Sequence, residues 1–335
     1  MSGGRTMRRR DFLALVGRAA AWPTLASGQS PERVRSVVMI VAFSETDAEG
    51  QRNVKAFRTE LQRLGWTIGE KLRFDVRWGA INADRANLLA AELTVQRPDL
   101  IVAHATVATR AVAQQIKDIP IVFTNVSDPI AEQFIQSFAR PGRNITGFTN
   151  VERTIGGKYL ELLKEIVPGI SRAVMVFNPE STPGRGSFFF DTFEAAGGKL
   201  AVQVSKGEVT SVNALEDIIR SAAREHSGLV VIGEPFTNLH RARILELASQ
   251  HNVPAVCPYK FYAENGCLIS YGVDFVDQFQ RTASYVDRIL RGDSPAALAV
   301  QSPVKFEMAI NMKTAKVLGV SVPPKLLFTA DEVIE

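Results

Sequence analysis

The chain has 335 residues, 46% hydrophobic and 22% charged, with a net charge of +4. That is ordinary globular composition with room for two domains. The charge lies in residues 1–28, where five arginines stand against Asp11 and leave +4, so the remainder is neutral and lacks the basic balance of a nucleic-acid-binding protein. Arg8-Arg9-Arg10-Asp11-Phe12-Leu13 heads an apolar stretch broken by Arg18 and Pro23, and Ala26-Ser27-Gly28 ends it with small residues. Basic head, short apolar middle and small-residue exit describe an export signal over residues 1–28, of the twin-arginine type that carries folded proteins. A basic tail without that role is the alternative, and Met7 is a second candidate start. No later apolar run is long enough for a membrane span. The expected product is exported, periplasmic and soluble.

From Arg35 to Phe43 the chain is almost continuously apolar, as a buried parallel strand is, and Ser44-Glu45-Thr46-Asp47 follows. Val54, Phe57, Leu61 and Leu64 then recur at helical spacing up to Gly65. Leu72 to Trp78 alternates as a strand. Asp84 starts a helix carrying Leu88, Leu89 and Leu93; Asp99 to Ala103 is a third strand, ending in His104-Ala105-Thr106. A helix from about Val107 to Ile116 leads to the strand at Ile121, which ends in Thr124-Asn125-Val126-Ser127-Asp128-Pro129. Asp128-Pro129 reads as a helix start, with Asp as N-cap and Pro in the first turn. Capping and ligand contact both remain open for Ser127 and Asp128.

After the turn-rich Arg140-Pro141-Gly142-Arg143-Asn144, Ile145 to Phe148 follows and the pattern repeats. Helices are expected over 157–166, 186–196, 212–222 and 238–250. Strands are expected over 173–177, around Val202 and Val204, over 229–232, and over 255–257. The polar strand ends are Asn178-Pro179-Glu180-Ser181-Thr182, Gly233-Glu234-Pro235-Phe236-Thr237 and Pro258-Tyr259-Lys260-Phe261. Leu268 to Ser270 is a short strand before Tyr271-Gly272-Val273-Asp274, and a long helix follows with Phe279, Ala283, Val286 and Leu290 in phase. Phe306 to Ile310 reads as strand and Asn311 to Leu318 as helix, before a tail with Pro323-Pro324. This βαβα order implies parallel sheets with helices on both faces, in two tandem lobes. Ligands of such sheets bind beyond the carboxyl ends of the strands.

Cys257 and Cys267 are the only cysteines. An oxidising compartment permits a disulfide. The position of Cys257 inside an apolar strand favours two buried free thiols. There is no GxGxxG after a strand, no GxxxxGK[ST], no HExxH, no CxxC and no GxSxG, so no nucleotide, metal or hydrolase signature is present. No catalytic residue, metal or cofactor is expected. Trp78, Phe236, Tyr259, Phe261, Tyr262 and Tyr271 are candidate walls of an apolar pocket.

Several segments together resemble one family. They are Val122-Phe123-Thr124-Asn125-Val126-Ser127-Asp128-Pro129, Arg140-Pro141-Gly142-Arg143-Asn144-Ile145-Thr146-Gly147, Gly157-Lys158-Tyr159-Leu160-Glu161-Leu162-Leu163-Lys164, Tyr271-Gly272-Val273-Asp274, Tyr285-Val286-Asp287-Arg288-Ile289-Leu290 and Asn311-Met312-Lys313-Thr314-Ala315-Lys316. With the arginine-led N-terminus and Phe57, Leu61 and Gly65-Trp66, the chain is similar to the periplasmic ABC-transporter substrate-binding proteins that include the tryptophan/tyrosine-type binding proteins. The resemblance spans essentially all of the chain after the signal. It implies an α/β fold of the type I periplasmic-binding kind: two Rossmann-like parallel-sheet lobes joined by three crossovers, near Phe148, Ser270 and Val300. Lobe 1 would hold 35–147 plus 271–299, and lobe 2 would hold 148–270 plus 300–335.

The expected function is capture of a small organic solute, aromatic or amino-acid-like, in the inter-lobe cleft. A monomer would deliver it to the membrane permease of an ABC importer. A ligand-sensing receptor subunit and an enzyme using the same cleft are the alternatives. First-lobe candidates for ligand contact are Ser44, Glu45, His104, Ala105, Thr106, Asn125, Ser127 and Asp128. Second-lobe candidates are Asn178, Thr182, Glu234, Phe236 and Tyr259, with Tyr271 and Asp274 near the hinge. A ligand carboxylate fits the backbone N–H groups that start the helix after His104. Asp128 or Glu234 would hold an ammonium.

Overall fold

A computed structural model describes residues 33–150 and 154–335. The expected export signal at 1–28 lies outside the described residues. The first lobe is a sheet of β1 (Arg35–Val41), β2 (Leu72–Trp78), β3 (Leu100–His104), β4 (Ile121–Val126) and β5 (Ile145–Thr149), in the order β2-β1-β3-β4-β5. All of its pairings are parallel. Its helices are α1 (Ala48–Arg63), α2 (Ala83–Gln96) and α3 (Ala105–Gln115). The apolar strands are fully buried because helices cover both faces; β3 and β4 have no exposed position. On α1 the spacing brings Val54, Phe57 and Leu61 inward. Burying a side chain such as Phe57 contributes about 1.5–3 kcal/mol. On α2, Leu89 and Leu93 face the core and Leu88 faces water.

The second lobe starts with α4 (Ile155–Ile166), β6 (Arg172–Phe177), α5 (Ser187–Leu200), β7 (Gln203–Glu208), α6 (Val212–Arg224) and β8 (Gly228–Val231). It continues with α7 (Pro235–Leu239), α8 (Arg241–Gln250), β9 (Ala255–Cys257), α9 (Lys260–Glu264) and β10 (Ile269–Val273). The chain then returns to the first lobe as α10 (Phe275–Leu290). The tail adds β11 (Phe306–Asn311), α11 (Met312–Val317), α12 (Pro324–Thr329) and β12 (Glu332–Ile334) to the second. Its sheet order is β12-β11-β10-β9-β8-β6-β7, and β11 pairs antiparallel with β10 because it arrives from the other lobe.

Specific bonds seat α10 on the first lobe. Trp66 Nε1 donates to Asp287 Oδ1 at 2.8 Å, Arg291 Nη2 to the Leu64 carbonyl at 2.9 Å, and Gln278 Nε2 to the Thr149 carbonyl at 2.7 Å. The last crossover runs beside β5, where Gln301 N donates to Gly147 O and Thr149 N to Gln301 O. Gly147 is required there, since a Cβ would lie 2.0 Å from the Phe123 carbonyl oxygen.

Three sequence expectations are corrected. No helix follows Asp128-Pro129. Asp128 Oδ1 accepts from Ala131 N at 3.1 Å and one turn forms, but Gln133 adopts φ 58° and ends it. The expected helix over 238–250 divides at His240 into α7 and α8, since the Glu234 cap starts a helix earlier than its apolar pattern suggests. The cysteines are joined rather than free: Cys257 and Cys267 form a disulfide with Cα atoms 6.5 Å apart. Parallel pairing of β9 with β10, Cys257 opposite Ser270, folds α9 between them and returns the second cysteine to the first. Both are buried, Cys257 at the end of β9 and Cys267 in the connection before β10.

Thiol titration of unfolded, unreduced protein should therefore find no thiol in the mature chain, and two after reduction. Replacing both cysteines by alanine should cost about 2–3 kcal/mol by denaturant unfolding, the loop-closure scale for so short a loop.

Candidate functional site

The carboxyl ends of the two sheets converge on a cavity of about 20 Å³. Its first-lobe lining includes Ala42, His104, Ala105, Thr106, Asn125, Ser127 and Asn150. The second lobe supplies Ser181, Thr182, Pro183, Phe189, Gly233, Glu234, Pro235 and Asn238. Two left-handed non-glycine residues border it: Ala105 (φ 72°), where β3 passes into α3 without a loop, and Asn125 (φ 62°), where β4 shifts register against β5. Such backbone is costly and is held by the packing around it. No side chain caps α3, so its first-turn N–H groups remain available beside the cavity.

His104 is enclosed in an aromatic box. Its ring stacks on Phe43 at 5.2 Å and lies 5.5 Å from Phe279 and 6.1 Å from Phe275. Burial depresses its pKa to about 3, so the ring is neutral and a weak base. Nδ1 accepts the Ala42 N–H at 3.2 Å, which places the proton on Nε2. Asn125 Nδ2 is placed 3.3 Å from Nε2, and with the proton on Nε2 the amide turns to accept it with its oxygen. In the opposite sense that oxygen is buried without a partner. Asn150 Oδ1 is likewise buried and has no hydrogen bond of good geometry.

Glu234 is fully engaged. Its carboxylate accepts from the Ser181 hydroxyl, from Phe236 N at 2.8 Å and from Thr237 N at 2.8 Å, forming a capping box at the start of α7. Burial raises its pKa, and these three donors oppose the rise.

Of the candidates named from the sequence, His104, Ala105, Thr106, Asn125, Ser127, Thr182 and Glu234 line the cavity. The others lie elsewhere. Ser44 and Glu45 form the turn before α1, with Glu45 exposed. Asp128 holds its turn. Asn178 Oδ1 accepts from Glu180 N at 2.8 Å, and its carbonyl accepts from the Thr182 hydroxyl. Phe236 packs on His240 at 4.5 Å. Asp274 caps α10 and pairs with Lys305 at 2.6 Å. Tyr271 stacks on Phe306 in a separate groove along α4 and α5. Tyr259 is buried behind the cavity, its ring 4.4 Å from Phe275, and its hydroxyl reaches Gly233 O at 3.4 Å. Phe261 and Tyr262 are core residues beside it, not pocket walls.

Sequence reasoning missed Asn150, Phe189 and Asn238. Asn150 follows a strand directly, so the strand-end rule already applied elsewhere could have found it. Phe189 and Asn238 sit inside helices, and no local pattern marks them.

Residues 37–334 match the family described as ABC transporter substrate binding protein. The chain belongs to that family. This substrate-binding protein is 21% identical over 292 residues to a tyrosine-binding protein of Clostridioides difficile (strain R20291), covering 82% of this chain and 83% of that one. Its fold is similar to that of a conserved domain protein from Vibrio cholerae (TM-score 0.83, 24% identity, 90% of this chain and 100% of the other). It is also similar to an ABC domain from Streptococcus pneumonia solved with L-Trp (TM-score 0.81, 20% identity, 90% and 99%). The substrate-binding protein thus has the two-lobed α/β fold that its sequence implies, and it serves solute capture for an ABC transporter. No described helix is long and apolar enough to cross a membrane.

His104 makes stability depend on pH. Its folded pKa, about 3, lies below the ordinary value of 6.5. The unfolded chain therefore binds an extra proton between those values, and the His104 contribution is present above pH 6.5 and lost as pH falls toward 3. His104→Gln should reduce the slope of unfolding free energy against pH in that window by up to about 1.4 kcal/mol per pH unit. Denaturant melts at several pH values measure it.

Proposed function

We propose that the solute is a small aromatic or amino-acid-like carboxylate, captured between the lobes in the periplasm and passed to a membrane permease without chemical change. The observation that carries this reading is the lining of the cavity. The uncapped start of α3 and the side chains of Thr106, Ser127 and Asn125 line it, and no Lys or Arg does. A carboxylate is the charged group that such a set recognises, through helix-terminal N–H groups and neutral donors. Asn150 Oδ1, buried and unpartnered, is the acceptor for an N–H of the same ligand. Phe189 supplies apolar surface from the other lobe. The Clostridioides relative, named for tyrosine, and the Streptococcus structure with L-Trp support the same class.

A cavity of about 20 Å³ has room for about one water. An aromatic acid therefore enters with the lobes apart. The moving bodies are the first sheet with α10 and the second sheet with its tail. Closure adds second-lobe contacts to those already made by the first, so ligand favours the closed form. Catalysis has little support in the cleft, where His104 is a weak base and Glu234 is committed to three donors. Asp128 belongs to its turn in this reading, and the ammonium role assigned to it from the sequence is not needed.

Calorimetry with L-tyrosine, L-tryptophan and benzoate tests the class. Thr106→Val and Asn125→Ala should each weaken binding by about tenfold, the scale of one hydrogen bond. Asp128→Asn should leave affinity near the parent value, since Asn caps as well as Asp. Binding of an uncharged sugar with no binding of any aromatic acid would overturn the proposal.

A further inference from the structure

An ion pair crosses between the lobes with no part in the cavity itself. Asp47 lies in the turn after β1, and Arg241 is the first residue of α8. Asp47 Oδ2 is 2.7 Å from Arg241 Nη1, and their side chains keep only 9% and 19% exposure. Apart from the Asp274–Lys305 pair at the hinge, among ion pairs between described residues it alone joins the first lobe to the second.

Each partner has a second contact that fixes it. Asp47 Oδ1 caps α1, accepting from Glu49 N at 3.0 Å and Gly50 N at 3.1 Å. One oxygen thus serves the helix and the other faces the guanidinium. Arg241 Nη1 also donates to the Asn238 carbonyl at 2.8 Å, and its guanidinium sits 5.5 Å over the Phe261 ring. Asn238 lines the cavity, and its side-chain oxygen accepts from the Tyr262 hydroxyl at 2.9 Å. Arg241 therefore stands between a first-lobe carboxylate and a cavity residue of the second lobe. Glu264 on the second lobe repels Glu49 on the first across the same region, and Arg52 with, to a smaller extent, Arg241 opposes it. When the lobes part, Asp47 and Arg241 are carried away from each other, so the pair belongs to the closed form.

We propose that Asp47 and Arg241 are a latch of the closed cleft, and that Arg241 is a positioning residue for Asn238. A pair made only in one state shifts the equilibrium toward it by its own free energy. The solute then has less of the closing free energy to supply, and its release requires the latch to break. The inference rests on solute capture between lobes, but not on which solute is captured.

Asp47→Asn separates the two roles of Asp47, because Asn caps α1 about as well while losing the charge. Arg241→Met removes the other partner and keeps the length of the side chain. Stopped-flow release of L-tyrosine and small-angle scattering, with and without added L-tyrosine, are measured on both single variants and the double. The expected result is release about tenfold faster in each single variant, with a larger radius of gyration at equal L-tyrosine, and melting of Asp47→Asn close to the parent. The double variant should be no faster than the faster single, since both break one contact. Parent-like release and scattering in either single variant, or additive effects in the double, overturn the latch. If L-tyrosine does not bind the parent, the aromatic reading fails instead. Scattering without solute, at low and high salt, then decides the latch: a parent profile unchanged by both variants and by salt overturns it.

Discussion

A parallel sheet sends the carboxyl ends of all its strands to one edge, and here two such edges face each other. The rest of the molecule follows from that geometry. Apolar residues fill the first positions of β3 and β4, and polar ones collect toward their carboxyl ends, at His104 on β3 and from Thr124 onward on β4. Helices begin at the same edge, so their unsatisfied N–H groups point into the same space. The crossovers join the lobes on one side and leave the facing edges to meet and part.

The fold was legible in the sequence because its signals are long and periodic. Leu72–Trp78 alternates over its whole length and is a strand with those bounds. The in-phase apolar residues at Phe279, Ala283, Val286 and Leu290 form the buried face of α10. Shorter elements were less clear. A helix as short as Lys260–Glu264 leaves no periodic trace, and the aromatic run around it read as pocket wall when it is core. The disulfide depends on β9 lying beside β10, a long-range fact that the spacing of two cysteines does not contain.

The site was half legible for the same reason. Strand-end residues such as Thr106, Asn125 and Ser127 follow a rule of topology and do reach the cavity. Whether a strand-end polar group is spare depends on its neighbours. Asn178, Asp274 and Glu234 are each occupied by a cap or a turn, and nothing in their own segments distinguishes them from Asn125. Contributions from helix interiors, such as Phe189 and Asn238, appear only once the lobes are set against each other. Arg241 is visible as an inter-lobe group only through its distance to Asp47.

The left-handed Ala105 at the β3–α3 junction has a consequence for the speed of recognition. With no loop between strand and helix, the N–H groups there have no freedom to search. Their directions are fixed by the sheet behind them before any solute arrives. An arriving carboxylate meets donors already arranged, and little local ordering entropy opposes its docking. Selectivity among solutes of similar charge is then a question of shape against a rigid template, while the slower step is left to the movement of whole lobes.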